Sequence, residues 1–235
     1  MSDLHPLGII PDSQEALEAV DPRFLLEGLL AARQKTVEAV ELIRASLRAG
    51  MTEDEAREQS MGILARLGAS KHWHKPYIRF GPGTVLTFHE PLQPDYRLQE
   101  GDPFYVDIGP VWCDPKAGLD YEGDYGDTFV LGSNPDAERC AAAARSLFAE
   151  ARRDWKEGRR RGAEIYALLK RRAAERGYDL LERAAGHRLG DFPHHRHSKE
   201  QLAKIAFYPS PSLWVLEVQI VHTASRFGAF FEDLL

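Results

Sequence analysis

Four acidic residues sit inside short apolar runs that read as β-strands: Asp107 in FYVDIG, Asp124 in GDYGDTF, Glu217 in WVLEVQI and Glu232 in FFEDLL. A single carboxylate in such a run is costly to bury without a partner, and an edge strand that turns it to solvent removes that cost. Four of them constrain the chain far more. If they converge, they repel one another and raise each other's pKa values unless cations neutralise them. The economical solution is a sheet that gathers the four around a pair of metal ions.

The rest of the chain has the means to build such a sheet. Its 235 residues are 43 % hydrophobic and 28 % charged, which is globular composition with enough apolar material for a core. No stretch of about 18 uninterrupted apolar residues suggests a membrane span. The N-terminal MSDLHPLGII lacks the basic start and apolar run of a secretory signal. Two cysteines, Cys113 and Cys140, are too few for a disulfide scaffold and form no CxxC pair. These features lead us to expect a cytoplasmic protein. A net charge of −6 argues against a nucleic-acid binder, and the basic run RRDWKEGRRRG reads as a solvated helix face.

Leu, Val and Ile spaced by three and four residues predict an amphipathic helix from Asp21 to about Ala49, stopped by Gly50. A second helix starts at Thr52, which has capping-box spacing to Glu55. Strands and turns follow in YIRFGPGTVLTFHEPL, DPFYVDIGPVW and YEGDYGDTFVLG, and the segments around Val106 and Phe129 are placed to pair. Helices are expected from about Pro135 to Glu157 and from about Gly162 to Arg176, before strands return at LWVLEVQIVH and FGAFFEDLL. Helices then strands, twice over and without a linker, predict one α+β domain over residues 21–235 behind an N-terminal extension of residues 1–20.

The stretch AAGHRLGDFPHHRH at 184–197 holds four of the nine histidines. One histidine added to four carboxylates makes a mixed oxygen and nitrogen site suited to Mn, Co, Fe or Zn. Two such ions about 3.5–4 Å apart lower the pKa of a shared water and polarise a carbonyl, which is the chemistry of amide hydrolysis.

The order Asp, Asp, His, Glu, Glu resembles that of the pita-bread metallopeptidases, which include methionine aminopeptidases, Xaa-Pro aminopeptidases, prolidases and creatinases. GMTEDEAREQ is similar to the family's helix start, and LQEGDPFYVDIG to the segment that carries its first aspartate. The resemblance implies a curved antiparallel sheet flanked by two pairs of helices. It also implies two divalent ions held by Asp107, Asp124, His187, Glu217 and Glu232, with Glu217 doubling as general base. His89 in TFHEPL and His194 in GHRLGDFPH are its substrate-facing histidines. The implied partner is a peptide or small amino-acid-like substrate, with no nucleic acid and no membrane, and a homodimer is compatible with it.

Several positions depart from the family pattern. Asp107 and Asp124 lie 17 residues apart, longer than usual, which predicts an extended loop over the site and makes Asp127 a rival second aspartate and Asp120 a weaker one. Arg188 replaces the glycine after the ligand histidine, so a cation is expected to line the substrate cleft. Phe230 stands where the Xaa-Pro enzymes tend to have arginine, and Val218 where they have proline. The 15-residue separation of Glu217 and Glu232 is closer to the Xaa-Pro and prolidase branch, although with residues 1–20 ahead of the first helix the expectation is a catalytic domain without the large N-terminal domain of that branch. Aminopeptidase-type hydrolysis is the leading expectation. An iron-dependent oxygenase acting on a small amino-acid-like substrate, and a non-catalytic binding protein on the same scaffold, are the alternatives.

Overall fold

The structure is a computed structural model that describes residues 13–69, 71–224 and 227–235; the stretch MSDLHPLGII lies outside the described residues. Its eight strands form one antiparallel sheet in the order β1 (Lys71–Phe80), β2 (Pro103–Asp114), β4 (Tyr125–Val130), β8 (Gly228–Leu234), β7 (Trp214–His222), β5 (Tyr178–Leu180). Short β3 (Leu119–Glu122) pairs with β2, and β6 (His187–Arg188) with β7.

Two helix pairs cover one face of the sheet. α2 (Leu26–Ser46) and α3 (Glu53–Arg66) pack on the β1–β2 half, where Val40, Ile43 and Leu64 meet Ile78, Val106 and Ile108 in a first apolar cluster. α4 (Pro135–Gly158) and α5 (Gly162–Glu175) pack on the other half, where Leu147 and Leu169 meet Leu216, Val218 and Ile220 in a second. Strand alternation explains the division of labour. Val106 and Ile108 flank Asp107, and Leu216 and Val218 flank Glu217, so apolar neighbours facing the helices turn the carboxylates to the opposite face. The exposed residues Arg152, Arg153, Lys156 and Arg159 carry the basic run as a solvated surface.

Helix boundaries follow local hydrogen bonding. α2 starts at Leu26, five residues later than its periodicity suggests, because Asp21 closes a turn by accepting from the Arg23 N–H while the Leu25 N–H goes to the Tyr121 hydroxyl. It also stops earlier, at Ser46, because Leu47 is already extended. The capping box at Thr52 and Glu55 is formed in both directions. Ahead of α2, the short α1 (Gln14–Leu17) is capped by Ser13 and places Leu17 in the second apolar cluster.

The segment between Asp107 and Asp124 is not the extended loop over the site that its length suggested. β2 runs on to Asp114, whose carboxylate closes a turn by accepting from the Lys116 and Ala117 N–H groups, and the chain returns as β3. The extra residues therefore make a β-hairpin. Its return strand docks on the segment before His194 through a Tyr121–Asp191 bridge and the Phe192 N–H to the Asp120 carbonyl.

One buried ion pair ties the loop after β1 to the domain. Glu53, at the start of α3, accepts from the Phe80 and Gln93 N–H groups at 3.0 and 2.8 Å, and from Arg79 at 3.4 Å. Arg79 in turn donates to the carbonyls of Thr87 and Pro91, both at 2.7 Å, and both ion-pair side chains are fully buried. Removing one member leaves an uncompensated buried charge. Arg79→Met is therefore expected to cost about 3–5 kcal/mol of stability, measured by urea unfolding, with the unfolding slope unchanged.

Candidate metal centre

Cross-strand register places the candidate residues in one row. Tyr77 on β1 pairs with Asp107 on β2, Asp107 with Gly126 on β4, Gly126 with Glu232 on β8, and Glu232 with Glu217 on β7. Residues directly opposite one another point to the same face, so three carboxylates line up across the sheet. Asp124 joins them from the position just before β4, two residues before Gly126. Gly126 is glycine for a steric reason, because a Cβ there would lie 2.5 Å from the Phe230 ring.

Two histidines flank the row. His187 Nε2 lies 2.9 Å from Asp124 Oδ2 and 3.7 Å from Glu217 Oε1. His74 Nε2 lies 3.4 Å from Asp107 Oδ1 and 3.6 Å from Asp124 Oδ1. Asp107 Oδ1, Asp124 Oδ1 and Glu232 Oε1 are buried and have no hydrogen-bond partner. Native proteins seldom leave buried carboxylate oxygens in that condition. Buried carboxylate oxygens and imidazole nitrogens converging in this way are the donor set of a divalent ion pair, so the residues fit the group that the sequence implied.

The electrostatics agree with the geometry. Burial, reinforced by Asp124 and Glu217 and opposed by His74, pushes Asp107 up to about 7. Burial together with Asp124, Asp107 and Glu217 holds Glu232 well above the carboxylate range, and burial also raises Glu217. For Asp124 burial is outweighed by His187 and His74, which hold it below its ordinary value. For His187 the carboxylates of Asp124 and Glu217 overcome burial and push it up to about 9.

The sequence model of metallopeptidase family M24 matches residues 27–235. The chain belongs to this family. Among solved structures, the M24 chain is similar to the prolidase from Pyrococcus horikoshii OT3, with a TM-score of 0.67 and 17 % identity over 89 % of this chain and 58 % of that one. The Xaa-Pro dipeptidase from Bacillus anthracis gives 0.68 and 21 % over 89 % and 56 %. The methionine aminopeptidase from Thermotoga maritima gives 0.65 and 16 %, over 92 % of this chain and 93 % of that one. The fold is thus the pita-bread fold, and the chain spans less than three-fifths of the prolidase and the dipeptidase. No curated protein matches it.

Within this M24 domain the structure brings together Asp107, Asp124, His187, Glu217 and Glu232, and sends Asp127 and Asp120 elsewhere. Asp127 faces α4, where it accepts from Arg145 Nε at 2.8 Å, and Asp120 pairs with Lys71 at 2.6 Å. His194 stacks on His187 at 5.3 Å between ring centroids. Phe230 lies two residues from Glu232, packed with Tyr105 and Ala184 as an apolar wall.

Two expectations require correction. Arg188 does not line the cleft. β6 alternation turns it away from His187, and its fully buried guanidinium donates to the backbone carbonyls of Leu17, Ala19 and Leu213, fastening the N-terminal segment to the sheet. His89 does not reach the carboxylates either. Its exposed ring lies tilted against Phe88 at 4.0 Å between centroids, while Arg79 holds the neighbouring carbonyls of Thr87 and Pro91 inward. The histidine at the carboxylates is His74.

Sequence reasoning also missed Trp73 and Glu122. The Trp73 indole touches His74, His187 and His194 edge-on at 4.2, 4.8 and 5.0 Å. Glu122 accepts from the His194 backbone N–H and faces its Nδ1, both at 2.8 Å. Simple alternation along KHWHKPY would send Trp73 to the face opposite His74, and a register irregularity between His72 and His74 breaks it.

Asp107 and His187 hold protons near neutrality, and a cation entering between them must displace those protons. The apparent affinity for Mn(II) is therefore expected to rise as pH increases from 6 to 8. Calorimetry in buffers of different ionisation enthalpy should register net proton release on binding.

Proposed function

We propose that this chain is an aminopeptidase-type hydrolase that holds two divalent ions, of Mn, Co, Fe or Zn, on Asp107, Asp124, His187, Glu217 and Glu232. The observation that carries the reading is the convergence of four buried carboxylates and an imidazole, with Asp107 Oδ1, Asp124 Oδ1 and Glu232 Oε1 left without a hydrogen-bond partner. Family membership and fold agree with it. The substrate would be a peptide losing its N-terminal residue, or a dipeptide-like amide, and residues 21–235 would act as one catalytic domain. With Cys113 and Cys140 both free thiols, we place the reaction in the cytoplasm.

When bound, the ions would supply a water of lowered pKa and a Lewis acid for the scissile carbonyl. The remaining roles fall to side chains. Glu217, its pKa raised by burial, is suited to accept a proton at a carboxylate oxygen near neutrality. His194 is held below its ordinary pKa by burial against the pull of Glu122, so it is a neutral imidazole. With Nδ1–H donated to Glu122, its Nε2 is free to receive a proton or a substrate hydrogen bond. Phe230, Tyr105 and Ala184 close one side of the site to water.

The decisive experiment pairs metal content with a panel of short peptides that includes Met-Xaa and Xaa-Pro sequences. Two ions per chain and release of an N-terminal residue are expected, and His194→Ala should lower kcat on the order of 100-fold with metal content unchanged. A fully loaded protein that cleaves nothing but consumes oxygen with Fe(II) and amino acids would make the oxygenase alternative the better one. A protein that binds no metal would be the non-catalytic one.

A further inference from the structure

His74 and His187 are held alike on either side of the carboxylate row. In each ring Nδ1 lies 2.8 Å from the carbonyl oxygen of the next residue, Lys75 for His74 and Arg188 for His187. A carbonyl can only accept, so Nδ1 is the donor in both, and both present Nε2 to the acids. His187 aims that atom at Asp124 Oδ2 and Glu217 Oε1, whereas His74 aims it at the Oδ1 atoms of Asp107 and Asp124. Those two Oδ1 atoms are among the buried oxygens with no hydrogen-bond partner.

The His74 ring is built into its place. Tyr77 stacks on it at 5.3 Å with 15° between the planes, and Trp73 meets it edge-on. Across the sheet stands Gly109, where a Cβ would lie 2.3 Å from the ring, so the strand opposite leaves room for an imidazole. One donor atom each from His74, Asp107 and Asp124 lie within 4.8 Å of one another.

We propose that His74 is a sixth metal ligand, so that each ion of the pair takes one imidazole: His187 with Asp124 and Glu217, and His74 with Asp107 and Asp124. This rests on the metallohydrolase reading and extends its five-residue ligand set. A competing account makes His74 an imidazolium that stands in for the second cation. Separations of 3.4 and 3.6 Å are too long for the charge-assisted hydrogen bonds that account needs, at about 2.7–2.9 Å, and leave its acceptors unsatisfied. An imidazole at the second position makes it a mixed nitrogen and oxygen site, which suits Co(II) and Zn(II) better than an all-oxygen one that favours Mn(II).

The test is metal stoichiometry and affinity in the full chain, by elemental analysis and by titration with Mn(II), Co(II) and Zn(II), for the wild type, His74→Gln and His74→Phe. The phenylalanine keeps the packing between Trp73 and Tyr77, and circular dichroism melts establish that each variant folds. The wild type should bind two ions. Both variants should keep one at wild-type affinity and bind the other at least about tenfold more weakly, with a larger loss for Co(II) and Zn(II) than for Mn(II). The visible spectrum of the Co(II) form should lose the contribution of one ion. Two ions at unchanged affinity in the variants, or more metal in the variants than in the wild type, would remove His74 from the ligand set and leave the hydrolase reading intact. A wild type that binds no ion would overturn both.

Discussion

Mutual repulsion among Asp107, Asp124, Glu217 and Glu232 is the interaction around which the rest of the structure is arranged. Four buried carboxylates on one face of a sheet are a liability that only positive charge resolves. The fold accepts it and places compensation close by, with an imidazole at each flank of the row. The opposite face is free of such demands. There the same strands offer Val106, Ile108, Leu216 and Val218 to two helix pairs, so the cohesion of the domain and the charge of its site occupy opposite faces of one sheet.

A second layer of polar contacts fixes the parts that the sheet does not. Glu122 holds His194, Arg79 and Glu53 hold the loop after β1, and Arg188 holds the N-terminal segment. All of these side chains are buried and act on backbone groups that no strand ladder reaches. Such contacts are costly to leave incomplete, and that cost gives the irregular segments single positions.

How much of this was legible in the sequence follows the range of each signal. The carboxylates in apolar strands, the capping box at Thr52 and the two helix pairs come from patterns a few residues long, and the structure has them close to where those patterns lie. His89 and Arg188 failed because motif order says which residues adjoin in the chain but not to which face a side chain turns. For Arg188 the face is decided by alternation on a two-residue strand, while His89 lies in a segment whose neighbouring carbonyls are held inward by a buried arginine. His74 and Glu122 were invisible for a related reason. Each matters through partners some 33 to 72 residues away in the chain.

The β2–β3 hairpin shows what such an inserted segment can come to mean. Its return strand ends in Glu122, whose carboxylate is the seat on which the His194 imidazole rests. Strand side chains alternate, so removing one residue from the paired part of the hairpin would swing this seat to the far side of the sheet. Changes confined to the turn at 115–118 would leave it untouched. The insertion is thus geared to the chemistry: its tip is free to drift in length, while its base is locked in phase with an imidazole that belongs to another part of the chain.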